Sequence, residues 1–173
     1  FILYSSALHI PIHFSDDEWK SMLFTDNIRM ADEVASILLT KNLTIPFNAF
    51  INYAKNISIK QNEQLNTASH LARLAARFAD GNEHTIISTF KEGNIQLKLW
   101  LMTVMGFHKK MIYLPILLPY CADTNTTLAT TAYNTLVQIT GLNPSAERNL
   151  PPNDPQILKM FKDFYFHSGT MKQ

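Results

Sequence analysis

Hydrophobic and polar positions follow two different periods along the chain. Between residues 8 and 14 they alternate, which is the two-residue period of an extended strand. The apolar positions of this segment are Leu8, Ile10, Ile12 and Phe14. Pro11 lacks a backbone donor, so we expect the segment to lie outside the interior of any sheet. After Asp16, apolar residues recur every three to four positions, and this period predicts helices only.

The predicted helices begin at recognisable capping residues. Ser-Asp-Asp-Glu at residues 15–18 is a capping box, in which the first and last side chains satisfy free backbone amides. This first helix is expected to end near Thr25, and Asp26 and Asn27 then cap a second helix that passes through Leu38. Because the later connections are short, consecutive helices are expected to pack antiparallel as hairpins. Further helices are predicted over residues 46–56, 62–79, 83–92, 94–106, 111–122, 126–140 and 154–167.

Apolar stripes on these helices are expected to face the core. In the first two helices the stripe consists of Trp19, Met22, Leu23, Met30, Val34, Ile37 and Leu38. A stripe of small residues, which lets neighbouring helices approach closely, consists of Leu65, Ala68, Ala72, Ala75, Ala76 and Ala79. The stripe of the last helix consists of Ile157, Leu158, Phe161, Phe164 and Tyr165. Pro119 is expected to remove one backbone hydrogen bond and to kink the helix over residues 111–122.

Composition and charge limit the class of protein. The chain has 173 residues, 46% of them hydrophobic, and a formal net charge of +1, which favours one domain that needs no disulfide or metal to stay folded. A near-neutral charge argues against a nucleic-acid partner. No run reaches the ~18 apolar residues of a membrane span, so we expect no membrane insertion. Cys121 has no second cysteine to pair with, which favours a cytoplasmic chain. Phe1 in place of Met indicates a processed, trimmed or partial chain.

Helix pairs recur with a period of roughly 30 to 36 residues, which is typical of helical solenoids. Ile-Pro-Phe at residues 45–47 and Leu-Pro-Ile at 114–116 each open the second helix of a pair, and Ala-Asp-Thr-Asn at 122–125 forms an acidic turn. With the following run over residues 128–142, these segments resemble the HEAT repeat family, in particular the short HEAT-like repeats of phycobilin lyases. The arginine usual early in the first helix of that repeat is missing here. The same run, with the linker and helix after it, shows a weaker similarity to HEAT-like proteins of type VI secretion loci.

The resemblance implies an all-α fold, a short right-handed α-solenoid of about three HEAT-like helical hairpins. The expected organisation is an extended N-terminal arm and leading helix over residues 1–25, a repeat array over 26–142, and a linker with a C-terminal capping helix over 143–173, all in one structural domain. Prolines at 151, 152 and 155 keep the linker from forming helix and let the last helix fold over the final hairpin.

The histidine, glutamate and cysteine residues that could support catalysis or bind a metal do not form a catalytic or metal-binding set in the sequence. His9 and His13 lie in the extended segment, where strand rise places their α-carbons about 13 Å apart, too far for a shared metal. The di-iron enzymes of the HEAT family use His-Glu pairs, whereas this chain has one reversed pair, Glu83-His84. Cys121 is expected to be a small buried hydrophobic residue. We therefore predict no catalytic, cofactor-binding or metal-binding residues.

One basic stripe is compatible with a groove for DNA, as in HEAT-like glycosylases. His70, Arg73 and Arg77 follow the spacing i, i+3, i+7 on one predicted helix. Such a stripe is usually a solvated helix face, and the near-neutral net charge argues further against a groove that follows phosphates. We therefore interpret the stripe as a solvated face.

A second group of residues combines cations with aromatic side chains next to the predicted helix over 111–122. In a HEAT array the second helices line the concave face, which is the usual partner-binding surface. The predicted partner-binding residues are His108, Lys109, Lys110, Tyr113 and Tyr120. The predicted function is a non-catalytic protein–protein interaction module, an adaptor or scaffold for a protein or peptide partner in a bacterial assembly such as a secretion system. The alternative is a HEAT-like ligand-binding protein or enzyme acting on a nucleobase or tetrapyrrole, which requires a deep polar pocket.

Overall fold

The computed structural model describes residues 3–4, 11–12, 14–25, 27–57, 65–148 and 150–170. Two short strands, β1 (Leu3–Tyr4) and β2 (Pro11–Ile12), pair antiparallel, with Leu3 opposite Ile12. The predicted extended conformation is confirmed at residues 11 and 12, whereas the strand partner was not predicted. His9 and His13 lie outside the described residues, and so do Leu8 and Ile10.

The rest of the described chain is helical, so the all-α prediction is confirmed. The α-helices are α1 (Asp16–Met22), α2 (Ile28–Thr40), α3 (Phe47–Ile57), α4 (Leu65–Arg77), α5 (Glu83–Glu92), α6 (Ile95–His108), α7 (Leu114–Leu117), α8 (Thr126–Thr140), α9 (Pro144–Arg148) and α10 (Pro155–Thr170). Two 3-10 turns, Met111–Tyr113 and Leu118–Ala122, flank α7. None of these helices has the length and apolarity that a membrane span requires.

The helix starts follow the predicted caps. The backbone amide of Ser15 donates to Glu18 Oε2 at 2.7 Å, and the Glu18 amide donates to Ser15 Oγ at 3.3 Å, so the capping box is confirmed. The side chains of Asn27, Asn94 and Asn125 accept backbone amides at the starts of α2, α6 and α8. These contacts are local, which explains why the sequence predicts these boundaries within one or two residues.

Two regions differ from the predicted helices. Residues 111–122 form one turn of α-helix between two 3-10 turns rather than a single helix, because Pro115 and Pro119 each lack the amide that continues an α-helix. Helix α9 lies in the predicted linker and begins at Pro144, a residue whose fixed φ suits a first helical turn. Helix α10 extends to Thr170, three residues beyond the predicted end.

A row of helices runs through the molecule. Helix α2 packs against α4, α4 against α6, and α6 against α8. The intervening helices pack on this row: α3 contacts α4 and α6, α5 contacts α6, and α7 contacts α8. Helix α10 packs on α8, α9 and the second 3-10 turn. Helix α6 is therefore the centre of the described fold, and its residues reach both neighbouring helices of the row.

Most predicted core positions are buried. The predicted small-residue stripe is confirmed by Ala72 and Ala75 of α4 and by Ala79 just after it, whose side chains are inaccessible. Ala68 and Ala76 are half-buried, and the side chain of Leu65 lies outside the described residues. In α10 the side chains of Ile157 and Phe161 are fully buried, and the other predicted members are half-buried. Trp19 and Leu23 are buried as predicted, whereas Met22 is half-buried.

Met30 was predicted to face the core, and this prediction is wrong, because its side chain is 37% exposed. The inward stripe of α2 starts instead at Ala31 and continues through Val34, Ala35 and Leu38. These positions follow i, i+3, i+4 and i+7, which places Met30 at the margin of the buried face.

Candidate functional site

His108, the last residue of α6, joins three parts of the chain. Its Nε2 lies 3.0 Å from Asp80 Oδ1 and its Nδ1 lies 2.8 Å from the Tyr113 hydroxyl. A neutral ring with its proton on Nε2 satisfies both contacts, because Nε2–H then donates to the carboxylate and Nδ1 accepts from the phenol. The side chain of His108 is 5% exposed. The arrangement fixes the end of α6 to the α4–α5 turn on one side and to the first 3-10 turn on the other.

Lys110 completes this cluster. Its Nζ lies 2.8 Å from the same Oδ1 atom of Asp80 that His108 contacts. The hydrogen bonds from Lys110 and His108 hold the pKa of the Asp80 carboxyl below its usual range, and the bond to Asp80 raises the pKa of the Lys110 ammonium. The Asp80 carboxylate therefore already has two positive or proton-donating neighbours.

The predicted role of Tyr113 and His108 in partner binding stays a prediction, although the structure leaves little of either side chain accessible. The side chain of Tyr113 is fully buried, and that of His108 is nearly so. Burial, together with the negative charges of Glu83 and Asp80, raises the pKa of Tyr113, so its hydroxyl stays protonated. The sequence predicted surface positions for both residues, and the contact of His108 with Asp80, 28 residues earlier, is not visible in a short stretch of sequence.

Lys109 ends α6 in the left-handed conformation, with φ 55° and ψ 38°. Its amide donates to the Met105 carbonyl at 2.9 Å, and its side chain is exposed. Phe107, two residues earlier, is 40% exposed although it is a large apolar side chain. The end of α6 therefore presents one aromatic ring and one lysine to solvent. The predicted roles of Lys109, Lys110 and Tyr120 in partner binding stay predictions.

Asp80, Glu83 and His108 each place a possible metal-ligand atom within 4.8 Å of the others. The set was not predicted because His108 lies 25 residues after Glu83 in the chain, although Asp80 and Glu83 are only three residues apart. However, Asp80 Oδ1 already accepts from Lys110, so a cation at this position would have to displace the lysine. The contacts therefore fit a structural ion-pair cluster.

The two arginines of the basic stripe on α4 are exposed, as predicted for a solvated face, but they also pair with residues of α2. Arg73 contacts Asp32 Oδ2 at 2.8 Å, and Arg77 donates to Ser36 Oγ at 3.1 Å, so both arginines attach α4 to α2. His70 Nδ1 lies 3.3 Å from Arg73, while His70 Nε2 is buried with no hydrogen-bond partner among the described residues. Burial lowers the pKa of His70. The solvated-face interpretation therefore holds for Arg73 and Arg77 but not for His70, and the two arginines also form an exposed contact between α4 and α2.

Two surface depressions of the described chain are open to solvent. The first, of about 300 Å³, is lined by Arg73, Ala76, Arg77, Asp80, Phe107 and His108. The second, of about 490 Å³, is lined by residues of α5 only, His84, Thr85, Ile87, Ser88, Lys91 and Glu92. The first depression, which we call the α4–α6 groove, combines the exposed ring of Phe107 with the two arginines.

Lys98 is a site residue that the sequence analysis missed. Its Nζ lies 5.4 Å from the ring centroid of Tyr120 and 5.9 Å from that of Phe90. It is the one lysine in the apolar run of residues 95–105, and that isolated charge on a central helix is the signal that could have identified it. Tyr120, which was predicted to bind a partner, is half-buried beside it.

The thiol of Cys121 is buried, and burial raises its pKa to about 12. A thiol with such a pKa is not a nucleophile near neutral pH. The prediction that Cys121 is a small buried hydrophobic residue is therefore confirmed.

Comparison of this chain with protein-family models, curated proteins and solved structures finds no match in any of the three.

Proposed function

We propose that this chain is a non-catalytic protein-interaction module, an adaptor or scaffold that binds a partner protein at the C-terminal end of α6. The observation that carries the proposal is the exposure of Phe107 and Lys109 beside the α4–α6 groove, which Arg73 and Arg77 line. Aromatic residues and arginine are enriched at the centres of protein interfaces, because they supply a large contact area and directional hydrogen bonds.

The charges near the groove favour an acidic segment as the partner. Arg73 and Arg77 share the carboxylate of Asp32, and Lys110 is paired with Asp80. Lys109, in contrast, is exposed and forms no ion pair with a described residue. A partner segment with an apolar side chain for Phe107 and a carboxylate for Lys109 would complement this surface.

The buried contacts below this surface support the proposal. His108 is held on both ring nitrogens, and Lys109 is held through its amide, so the turn after α6 has little freedom to move. A surface that is already ordered loses less conformational entropy when a partner binds. The cluster of Asp80, His108 and Tyr113 thus has a positioning role in this proposal.

We also propose that the helical pairs form a short right-handed solenoid of about three HEAT-like hairpins. Support comes from the row of α2, α4, α6 and α8, with the intervening helices packed on it, because nearest-neighbour stacking is typical of repeat arrays. Membership in a bacterial assembly such as a secretion system stays a prediction. Support for a non-catalytic role comes from the open form of both depressions and from the protonated, buried state of Tyr113 and Cys121.

Site-specific photocrosslinking tests the interaction proposal. A photoreactive phenylalanine analogue replaces Phe107 in the full chain, and a second variant carries it at Phe166, another exposed aromatic position, on α10. We expect one protein to crosslink efficiently from position 107 and weakly from position 166, and mass spectrometry of the adduct identifies it.

Binding of that purified protein is then measured for Lys109→Glu and for Lys159→Glu, an exposed lysine on α10 that serves as the charge-matched control. We expect Lys109→Glu to weaken binding at least tenfold, since it replaces an attraction with a repulsion. Equal crosslinking from both positions, or equal affinity of both charge variants, would overturn the proposal.

A further inference from the structure

Three elements bring an ammonium group and two aromatic rings together at the end of the molecule where α6 begins. Lys98 comes from the start of α6, Phe90 from the end of α5, and Tyr120 from the second 3-10 turn. The two rings meet edge to face, with centroids 5.1 Å apart, and the Lys98 ammonium lies within 6 Å of both. The ammonium therefore makes cation–π contacts with both rings. We call this group the Lys98 site.

The charge of Lys98 is not neutralised by any described residue. No carboxylate of the described chain lies within 4.0 Å of its ammonium, although the lysine is half-buried. The Tyr120 hydroxyl makes no hydrogen bond with a described residue and still reaches solvent. An unpaired ammonium beside a hydroxyl that has no hydrogen-bond partner among the described residues gains favourable contacts when an anion binds to both.

The chemistry of the donors identifies the anion as a carboxylate. The available donors are one ammonium and one phenol hydroxyl, which match the two oxygens of a carboxylate. Phosphate sites generally use several cations or free amides at a helix N-terminus. At the start of α6 the Asn94 side chain already accepts the Leu97 amide at 3.0 Å, which leaves fewer free amides for a phosphate.

We propose that Lys98 and Tyr120 form a second contact point, which receives the carboxylate of an aspartate or glutamate side chain on a partner protein. Phe90 supports the ammonium and the tyrosine ring from the core side, where it is fully buried. Lys98 and Phe107 are nine residues apart on one helix, which places them about half a turn apart around the helix axis. The Lys98 site is therefore distinct from the α4–α6 groove, and it rests on the proposed function only for the existence of a protein partner.

The first test needs no partner protein. The full chain is titrated with the peptide acetyl-Glu-Glu-Glu-Glu-amide, and the side-chain NMR signals of Lys98 and Tyr120 are followed. The matched peptide contains Gln at each position. We expect the Glu peptide to shift both signals, Lys98→Met to weaken binding about tenfold, and Tyr120→Phe to weaken it by a smaller factor. Lys159→Met, which removes one exposed lysine from α10, should bind like the wild type.

Several results would overturn the carboxylate site. They are equal shifts at Lys98 and Lys159, equal binding of the Glu and Gln peptides, and unchanged affinity of the Lys98→Met variant. Inorganic phosphate is titrated separately. If phosphate shifts the Lys98 and Tyr120 signals at a lower concentration than the Glu peptide does, the site is reassigned to phosphate. Thermal unfolding of each variant is measured first, and Tyr120→Phe keeps the proposal testable if Lys98→Met does not fold.

The second test uses the protein identified by crosslinking from position 107. We expect Lys98→Met to weaken its binding and Lys159→Met to leave it unchanged. If no partner crosslinks but the Glu peptide binds at Lys98 and Tyr120, the groove proposal fails and the carboxylate site stands. If a partner binds and is insensitive to Lys98→Met, the groove proposal stands and the Lys98 site is not part of that interface.

Discussion

Replacing Tyr113 with Phe removes a single oxygen atom from the buried contact between Tyr113 and His108. The hydroxyl lies 2.8 Å from His108 Nδ1, both side chains are almost inaccessible, and no other described residue forms a hydrogen bond with this nitrogen. The variant loses one hydrogen bond and leaves a buried ring nitrogen without a partner, which costs about 2 kcal/mol in the free energy of unfolding. For a chain of this length, that loss corresponds to a decrease in Tm of roughly 4 to 8 °C.

Urea denaturation followed by circular dichroism measures this change, with Tyr120→Phe as the matched control. The Tyr120 hydroxyl has no hydrogen-bond partner among the described residues, so its removal should alter the free energy of unfolding by less than about 0.5 kcal/mol. If both variants unfold alike, or if Tyr113→Phe matches the wild type, the hydrogen bond to His108 does not stabilise the fold and the argument for an ordered turn after α6 fails.

Two further predictions concern helix contacts. Burial lowers the pKa of His70 below its ordinary value of about 6.5. As pH falls, the unfolded chain therefore binds a proton at His70 before the folded chain does. The stability contributed by the neutral, buried His70 is present above about pH 6.5 and is lost below it. His70→Leu should show a smaller loss of stability than the wild type in urea unfolding between about pH 7 and pH 5, and an equal loss would contradict the burial argument. At Gly106 a Cβ would overlap the end of the Gln138 side chain, which is flexible and can move away. Gly106→Ala should therefore be tolerated, whereas the larger Gly106→Val should lower the free energy of unfolding by about 1 to 3 kcal/mol, measured by thermal melts. Equal Tm values for both variants would refute the close approach of α6 and α8.

The sequence predicted those features that depend on neighbours a few residues away. The capping box at Ser15 and the asparagine caps of α6 and α8 are local contacts, so the residues that make them are visible in a short window of sequence. Pro119 was expected to kink this helix, whereas Pro115 was interpreted as opening it, and the replacement of the helix by two 3-10 turns around α7 was not predicted. Both prolines lack the amide that continues an α-helix, and residues 111–122 also pack closely on their neighbours, α8 above all.

The candidate site was predicted less well, because its members meet through tertiary contacts. Tyr113 looks like a surface tyrosine beside two lysines, whereas the fold buries it against His108, whose other ring nitrogen contacts Asp80. Arg73 looks like part of a solvated stripe and is exposed, but only the packing of α2 on α4 brings it to Asp32, 41 residues earlier. A polar side chain in a periodic pattern thus indicates a helix, but its contacts depend on residues far away in the chain.

Unpaired lysines differ in their surroundings. An exposed lysine such as Lys159 is hydrated, so its lack of an ion pair with the described residues does not by itself indicate a binding site. Lys109 is also exposed, and its position beside Phe107 and the α4–α6 groove supports its role in the proposed interface. Lys98 differs because it is half-buried and lies beside the rings of Phe90 and Tyr120, with no carboxylate of the described chain next to it. A carboxylate from another molecule would supply the missing ion pair, so the structure adds Lys98 to the lysines that the sequence pattern favoured, Lys109 and Lys110.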